Sequence, residues 1–378
     1  MYIFIVILAI LTCILFVLGY RLLRSFREYK IRRAVTSPLI LPSVSVCIPA
    51  RNETHAMTQC LERVLASDYE KLEILVYDDS STDDTSVLIR SFAQAGVRFL
   101  PGENLPEGWL GKNYALQTLA SQASGTYVMF MDVDTYITPT TISKLVDYTM
   151  AEGAEMVSVI PGRDDSWRAS VLFGHLRYFW QLVMSRSSSP AVSGAFWMIS
   201  RKTLFDMYGG FGPIKTVVSP DKTFAYLLGQ SSYRCLITSD ELSVAYEKKW
   251  SSQVETTHRL AYPMAGGRLR YGIGVLLILI ALNSPPFVIL SGFIFGWTTI
   301  QVAAAGVMLG YMTLYASYAK RIWKSRWLLG GLLWPYVIFQ ELILYIQSML
   351  GYLTHTITWK GRPVMVHASA ASPQQKSS

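Results

Sequence analysis

The alternation of apolar and polar positions divides the chain into three regimes. Residues 2–20 are almost wholly apolar, and a basic run over 21–33 follows at once. Positive charge after the apolar core, rather than before it, argues against a cleaved signal peptide. It predicts a membrane anchor whose basic side lies in the cytoplasm. From Val44 to Thr238 short apolar runs alternate with helical patterns. VSVCIP, LEILVY, VRFL, YVMFM, MVSVI, GAFWMIS and YRCLIT read as strands. Helices are expected over 57–65, 114–123, 140–151, 201–208 and 221–229, and another begins after Ser81 or Thr82, either of which can cap it. Strands alternating with helices over short loops predict a doubly wound α/β domain.

The third regime starts at Tyr271. Residues 271–318 contain no Asp, Glu, Lys or Arg, which is room for two spans of about 20 residues. Pro285-Pro286 bends the first or sits in a turn. Lys320, Arg321, Lys324 and Arg326 mark a cytoplasmic return, and 328–353 reads as a span, a re-entrant helix or an interfacial one. Residues 167–184, apolar and aromatic, are expected along the membrane surface, or else covering the sheet. The expected organisation is an anchor (1–20), a basic linker (21–43), a catalytic domain (44–265), a membrane domain (271–353) and a tail (354–378).

Composition supports this division. Hydrophobic residues make up 51% of the 378 and charged residues 16%, against about 25% charged in soluble domains. The net charge of +8 comes from Lys and Arg beside apolar segments, which suits a membrane and excludes a nucleic-acid groove. Cys13, Cys47, Cys60 and Cys235 have no metal-ligand spacing and read as reduced thiols.

Candidate chemistry gathers at the strand ends. YVMFM runs into Asp132-Val133-Asp134, and in a strand carboxylates at i and i+2 share a face and can hold a hard divalent cation. Arg51-Asn52-Glu53, Asp78-Asp79, Lys112 and Asp221 fall at other ends of the same sheet, which in a doubly wound fold converge on one crevice. Phosphate-cradling glycine loops are absent. A metal and lone cations must then neutralise phosphate, which favours a nucleoside-diphosphate leaving group over hydride transfer.

VSVCIPARNE, LEILVYDDSSTDDT and YVMFMDVD, in that order, closely resemble the family 2 glycosyltransferases of the GT-A fold. GWLGKNYAL and the C-terminal WKGR narrow the resemblance to membrane-bound members around the carotenoid (diaponeurosporenoate) and hopene-associated glycosyltransferases. The resemblance implies that Pro49, Ala50, Asn52 and Glu53 contact uridine and that Asp78 and Asp79 hold uracil and ribose. It implies Lys112 near the donor phosphates, and Mg2+ or Mn2+ on Asp132 and Asp134, the second Asp being the more direct ligand. The family's Glu-Asp base reads Pro220-Asp221 here, leaving Asp221 as base, with Asp164 and Asp165 in reserve. The expected activity is inverting transfer from a UDP-sugar to a lipid-type acceptor, from a multi-pass protein with a cytoplasmic catalytic domain. The Gln-x-x-Arg-Trp of processive synthases is missing; residues 250–259 read WSSQVETTHR. A processive synthase and an inactive glycan-binding subunit are the alternatives.

Overall fold

In the computed structural model, helix α1 (Tyr2–Glu28) opens the chain and carries on past the apolar stretch through Arg21, Arg24 and Arg27. The structure describes residues 2–30, 41–163, 176–186, 189–248, 250–323, 326–360 and 362–364. Asp164, Asp165, residues 31–40 of the 21–43 linker and the tail beyond 364 lie outside them. The described residues fold as two units. A sheet unit takes 29–162 and 186–247, and an apolar unit takes 1–28, 163–185 and 248–364.

In chain order the sheet unit runs β1 (Val44–Ala50), α2 (Thr54–Leu65), β2 (Leu72–Asp78), α3 (Thr85–Ser91), β3 (Val97–Pro101), α4 (Gly111–Gln122), β4 (Tyr127–Met131), α5 (Thr141–Ala151) and β5 (Met156–Ile160). After α6 (Arg177–Met184), which belongs to the apolar unit, come β6 (Phe196–Ser200), α7 (Pro220–Ser232) and β7 (Tyr233–Ile237). The sheet order is β3-β2-β1-β4-β6-β5-β7. All pairs are parallel except those of β6, which runs antiparallel to both β4 and β5. The order reverses at β1, since β2 and β3 build out on one side and β4 on the other. Such a switch point opens a crevice at the strands' carboxyl ends.

Burial on both faces explains the unbroken apolar runs. One face packs Val46, Ile48, Val76 and Met129 against Met57, Leu61 and Val64 of α2 and Leu145 of α5. The other face is aromatic: Phe130 lies 4.4 Å from Trp197 between ring centroids, and Phe211 and Phe224 meet edge-on at 5.3 Å. Aromatic pairs of this kind contribute ~0.5–1.5 kcal/mol each beyond area burial.

The apolar unit holds α8 (Trp250–Met264), α9 (Leu269–Leu282), α10 (Ser284–Phe295), α11 (Thr298–Ile322), α12 (Trp327–Leu332) and α13 (Trp334–Leu353). Three described helices, α1, α11 and α13, are long and apolar enough to cross a membrane; α8 and α9 would make a fourth if their 117° bend lay within one span. Within residues 271–318, α11 is long enough to cross, and the first apolar stretch is broken into the shorter α9 and α10. Pro285 and Pro286 start a new helix at α10, because proline lacks an N–H and clashes with the preceding turn. Helices α1 and α11 run in the same direction: Phe4 meets Trp297 (6.0 Å), the Tyr311 hydroxyl donates to the Leu11 carbonyl (2.8 Å), and the Arg321 guanidinium covers Phe26 (5.2 Å). Their basic ends coincide. Helix α6 packs within the apolar unit. Phe179 is buried among Tyr315, Tyr318 and Trp334, and Ser25 of α1 donates to the Leu182 carbonyl (2.7 Å).

Candidate active site

At the switch point the loops after β1 and β2 are tied together by backbone and side-chain bonds. The Asp79 N–H donates to the Ala50 carbonyl (2.8 Å), and the Arg51 guanidinium donates to the carbonyls of Asp79 and Ser80. Asn52 takes φ 54°, a left-handed conformation that Asn tolerates better than most residues. Its N–H donates to Ser81 Oγ (2.9 Å), and its Oδ1 accepts from the Thr82 N–H (2.8 Å). The Glu53 N–H donates to Thr85 Oγ1 (2.8 Å), and the Glu53 side chain makes no capping bond to α2. Pro49 and Ala50 are the last residues of β1, with Ala50 opposite Asp78.

The two neighbouring aspartates differ. Both are 4% exposed, but the Asp78 carboxylate is used inside its own loop, accepting from the Ser81 N–H (3.2 Å) and the Ser86 hydroxyl. Ser81 and Thr82 do not cap α3, which starts at Thr85. Asp83 serves that end, accepting from the Thr85 N–H (3.1 Å) and hydroxyl (2.5 Å). Burial alone would raise the Asp83 pKa; the hydroxyl and N–H donors of Thr54 and Thr85 outweigh it and hold the carboxyl at about 2. Gly102 touches this loop so closely that a Cβ would sit 2.3 Å from the Asp78 carbonyl oxygen.

Lys112 lies in the first turn of α4, not in the loop expected before it. Its ammonium stands at the positive end of the helix, where a cation is disfavoured. It is balanced by Asp132: Nζ is 2.7 Å from Oδ1. Asp132 and Asp134 do not share a strand face. Pairing with β6 ends at Met131 opposite Phe196, and the Thr135 N–H donates to the Asp132 carbonyl (3.0 Å). That closes a turn in which Val133, the residue between the two aspartates in sequence, is buried. Trp109 packs edge-on against Tyr114 (5.6 Å).

Asp221, 9% exposed, stands in the first turn of α7 behind Pro220, where a carboxylate suits the helix dipole. Gly194 lies against it: a Cβ there would be 3.2 Å from the Asp221 carboxyl carbon. The next residue, Ala195, accepts from the Asp132 N–H (2.9 Å) through its carbonyl. One backbone step therefore brings Asp221 to the Asp132 turn. Lys222 beside it has its pKa lowered by burial, which the Asp221 charge partly offsets.

Sequence reasoning overlooked two supports of this arrangement. Asn113, 1% exposed, donates its amide to the carbonyls of Ile214, Lys215 (both 3.1 Å) and Val217 (2.8 Å), tying α4 to the loop that leads into Asp221. Its place next to Lys112 was the available signal. Gly194 carried none, since glycine before a strand is common. Arg259 and Trp359 belong to the apolar unit.

Two aspartates in a turn fit a hard divalent cation, since such ions are commonly held by one or two carboxylates together with substrate phosphates. Among the described residues no group of three or more His, Cys, Asp or Glu side chains gathers to hold a metal alone.

The mixed sheet and its switch-point crevice define the GT-A class of nucleotide-sugar transferase folds. A mannosyltransferase from Pyrobaculum calidifontis, solved with GDP-Man and Mn2+, has the same fold, with TM-score 0.56 and 19% identity over 92% of this chain and 98% of that one. Residues 45–205 match the family described as Glycosyl transferase family 2. It is 30% identical over 141 residues (35% of this chain, 41% of the relative) to the undecaprenyl-phosphate 4-deoxy-4-formamido-L-arabinose transferase of Sodalis glossinidius. It is 36% identical over 92 residues (24% of each) to the 4,4'-diaponeurosporenoate glycosyltransferase of Staphylococcus haemolyticus. The chain spans less than half the length of these curated relatives.

Proposed function

We propose that this protein is a membrane-bound glycosyltransferase that moves a sugar from a UDP-sugar to a lipid-type acceptor, with inversion at the anomeric carbon. The observation that carries the reading is the joining of Lys112, Asp132 and Asp221 at the switch point of the sheet. Lys112, paired with Asp132, turns its charge to the donor phosphates. Asp79 and the linked Asn52 and Glu53 loop receive the nucleoside. Asp221 accepts the acceptor's proton as the acceptor oxygen bonds to the anomeric carbon and the bond to the phosphate oxygen breaks, releasing UDP. A Mg2+ or Mn2+ ion held by Asp132 and Asp134 would supply charge neutralisation for the leaving diphosphate. The apolar helices support an acceptor presented from the membrane. The shared basic end of α1 and α11 supports a cytoplasmic catalytic unit.

The test uses membranes containing the full-length chain, a panel of UDP-sugars, and mass analysis of the glycosylated lipid. Asp221→Asn should lower transfer roughly a hundred- to ten-thousandfold with insertion unchanged. Wild-type transfer by that variant would remove Asp221 as the base, and absence of product with every UDP-sugar would remove the donor class.

A further inference from the structure

Strand β4 ends its pairing at Met131, so Asp134 lies beyond the ladder of the main sheet. After the turn, Thr135–Tyr136 pairs antiparallel with Ala245–Tyr246. A pairing two residues long is weak by itself. Side chains and backbone bonds around it make up for that. The Gly162 N–H donates to the Val244 carbonyl (2.8 Å). Thr135, fully buried, donates its hydroxyl to the Ala195 carbonyl (3.2 Å), the same carbonyl that receives the Asp132 N–H. Val133 and Ile137 belong to one core with Met57, Cys60, Leu61 and Val64 of α2.

Glu247 holds the segment at two points. Its N–H donates to the Asp134 carbonyl (3.1 Å), and its carboxylate accepts from the Tyr136 hydroxyl (2.5 Å). The Tyr136 ring is covered by Arg63, whose guanidinium carbon lies 3.6 Å from the ring centroid. Arg63 stands in the last turn of α2, the helix that follows the Asn52–Glu53 loop. Tyr136 is thus pressed between α2 and the strand that ends in Glu247. Glu247 is exposed, where water competes for its hydrogen bond and the bond adds little to folding. Its placement matters more. A small hard cation demands near-ideal geometry from its carboxylates, and a binding constellation tolerates only about half an ångström of slack.

We propose that Glu247 is a positioning residue for Asp134: by gripping the Asp134 backbone and the Tyr136 hydroxyl, it fixes the Asp134 carboxylate for the divalent cation. The proposal rests on the reading of Asp132 and Asp134 as ligands of that cation.

The experiment measures Mn2+ binding to the purified full-length protein in the presence of UDP, from the loss of the free-ion EPR signal. The wild type should bind Mn2+, and Asp134→Asn should lose most of that binding. Glu247→Ala should weaken it about ten- to a hundredfold, with the thermal midpoint little changed because the side chain is exposed. Tyr136→Phe keeps the ring beneath Arg63 and should weaken it by a similar factor. The double variant should be no weaker than either single one, since both remove the same bond. Glu247→Gln, which keeps an acceptor for the Tyr136 hydroxyl, should retain binding. Wild-type affinity in Glu247→Ala overturns the positioning role and leaves the metal ligands standing. Losses that multiply in the double variant also overturn it, because the two side chains would then act separately. Wild-type protein that binds no Mn2+, or Asp134→Asn that binds it undiminished, overturns the ligand assignment and the proposal with it. If Tyr136→Phe fails to fold, Glu247→Ala against Glu247→Gln decides, and an equal loss in both overturns the proposal.

Discussion

Asp221 and Gly194 show how much a single residue decides in this crevice. The Asp221 carboxylate occupies the space a Cβ at position 194 would need, 3.2 Å away. Gly194→Ala should push it aside by a few tenths of an ångström while leaving the sheet paired. The expected outcome is a kcat about tenfold lower with KM little changed, read by steady-state transfer assays; a wild-type kcat would show that the carboxylate tolerates the shift. The structure adds a reason to read Lys112 as chemistry, placing it in the first turn of α4, where a helix disfavours a cation. Asp78 and Asp79, adjacent in sequence and equally buried, were indistinguishable until the Ser81 and Ser86 donors assigned Asp78 to its own loop.

Among the elements, α4 links the two halves of the site. Its second residue meets Asp132 and its third holds the loop before α7. Asn113→Ala would take the side-chain donor from the Val217 carbonyl, leave the Ile214 and Lys215 carbonyls only the Val217 and Leu110 N–H groups, and open a buried hole, so a loss of roughly 1–3 kcal/mol of stability is expected. Denaturant unfolding of the sheet signal would show it, and an unchanged midpoint would mean that the loop is held by other bonds. Strand existence was legible because burial on both faces leaves continuous apolar runs. The antiparallel sense of β6 was not legible, because a strand buried on both faces reads the same in either direction. The same limit hid the turn at Asp132–Thr135, which depends on β6 ending its pairing at Met131.

At the scale of the whole chain, the open question in the sequence was the side on which 354–364 emerges. Helix α13 begins beside the middle of α11, Trp334 stacking on Tyr311 (5.9 Å), and Asn283 donates to the Ile338 carbonyl (3.2 Å). It ends beside α8, where the Tyr262 N–H donates to Ser348 (3.1 Å). Helix α12 packs back along α11, since a Cβ at Gly331 would lie 2.6 Å from that of Ala316. A pair that enters beside Trp323, turns at Trp334 and returns to α8 predicts re-entry without crossing. Thr356→Cys in a Cys13→Ser background should then react with an impermeant maleimide on the same side as Lys320→Cys. Labelling from the opposite side would make α13 a full span.

The sequence alone determined that the chain combines apolar segments with an α/β unit, and it named the acidic, amide and lysine positions at the strand ends. Period and composition encode these locally. Tertiary structure decided which of these residues meet. Asp221 reaches Asp132 through Gly194 and Ala195, and Asn113 reaches Val217 across a hundred residues of chain. Such meetings follow from strand order and from close approaches of backbone to side chain. No local pattern carries them, because the partners lie far apart in sequence and each residue is ordinary in its own window.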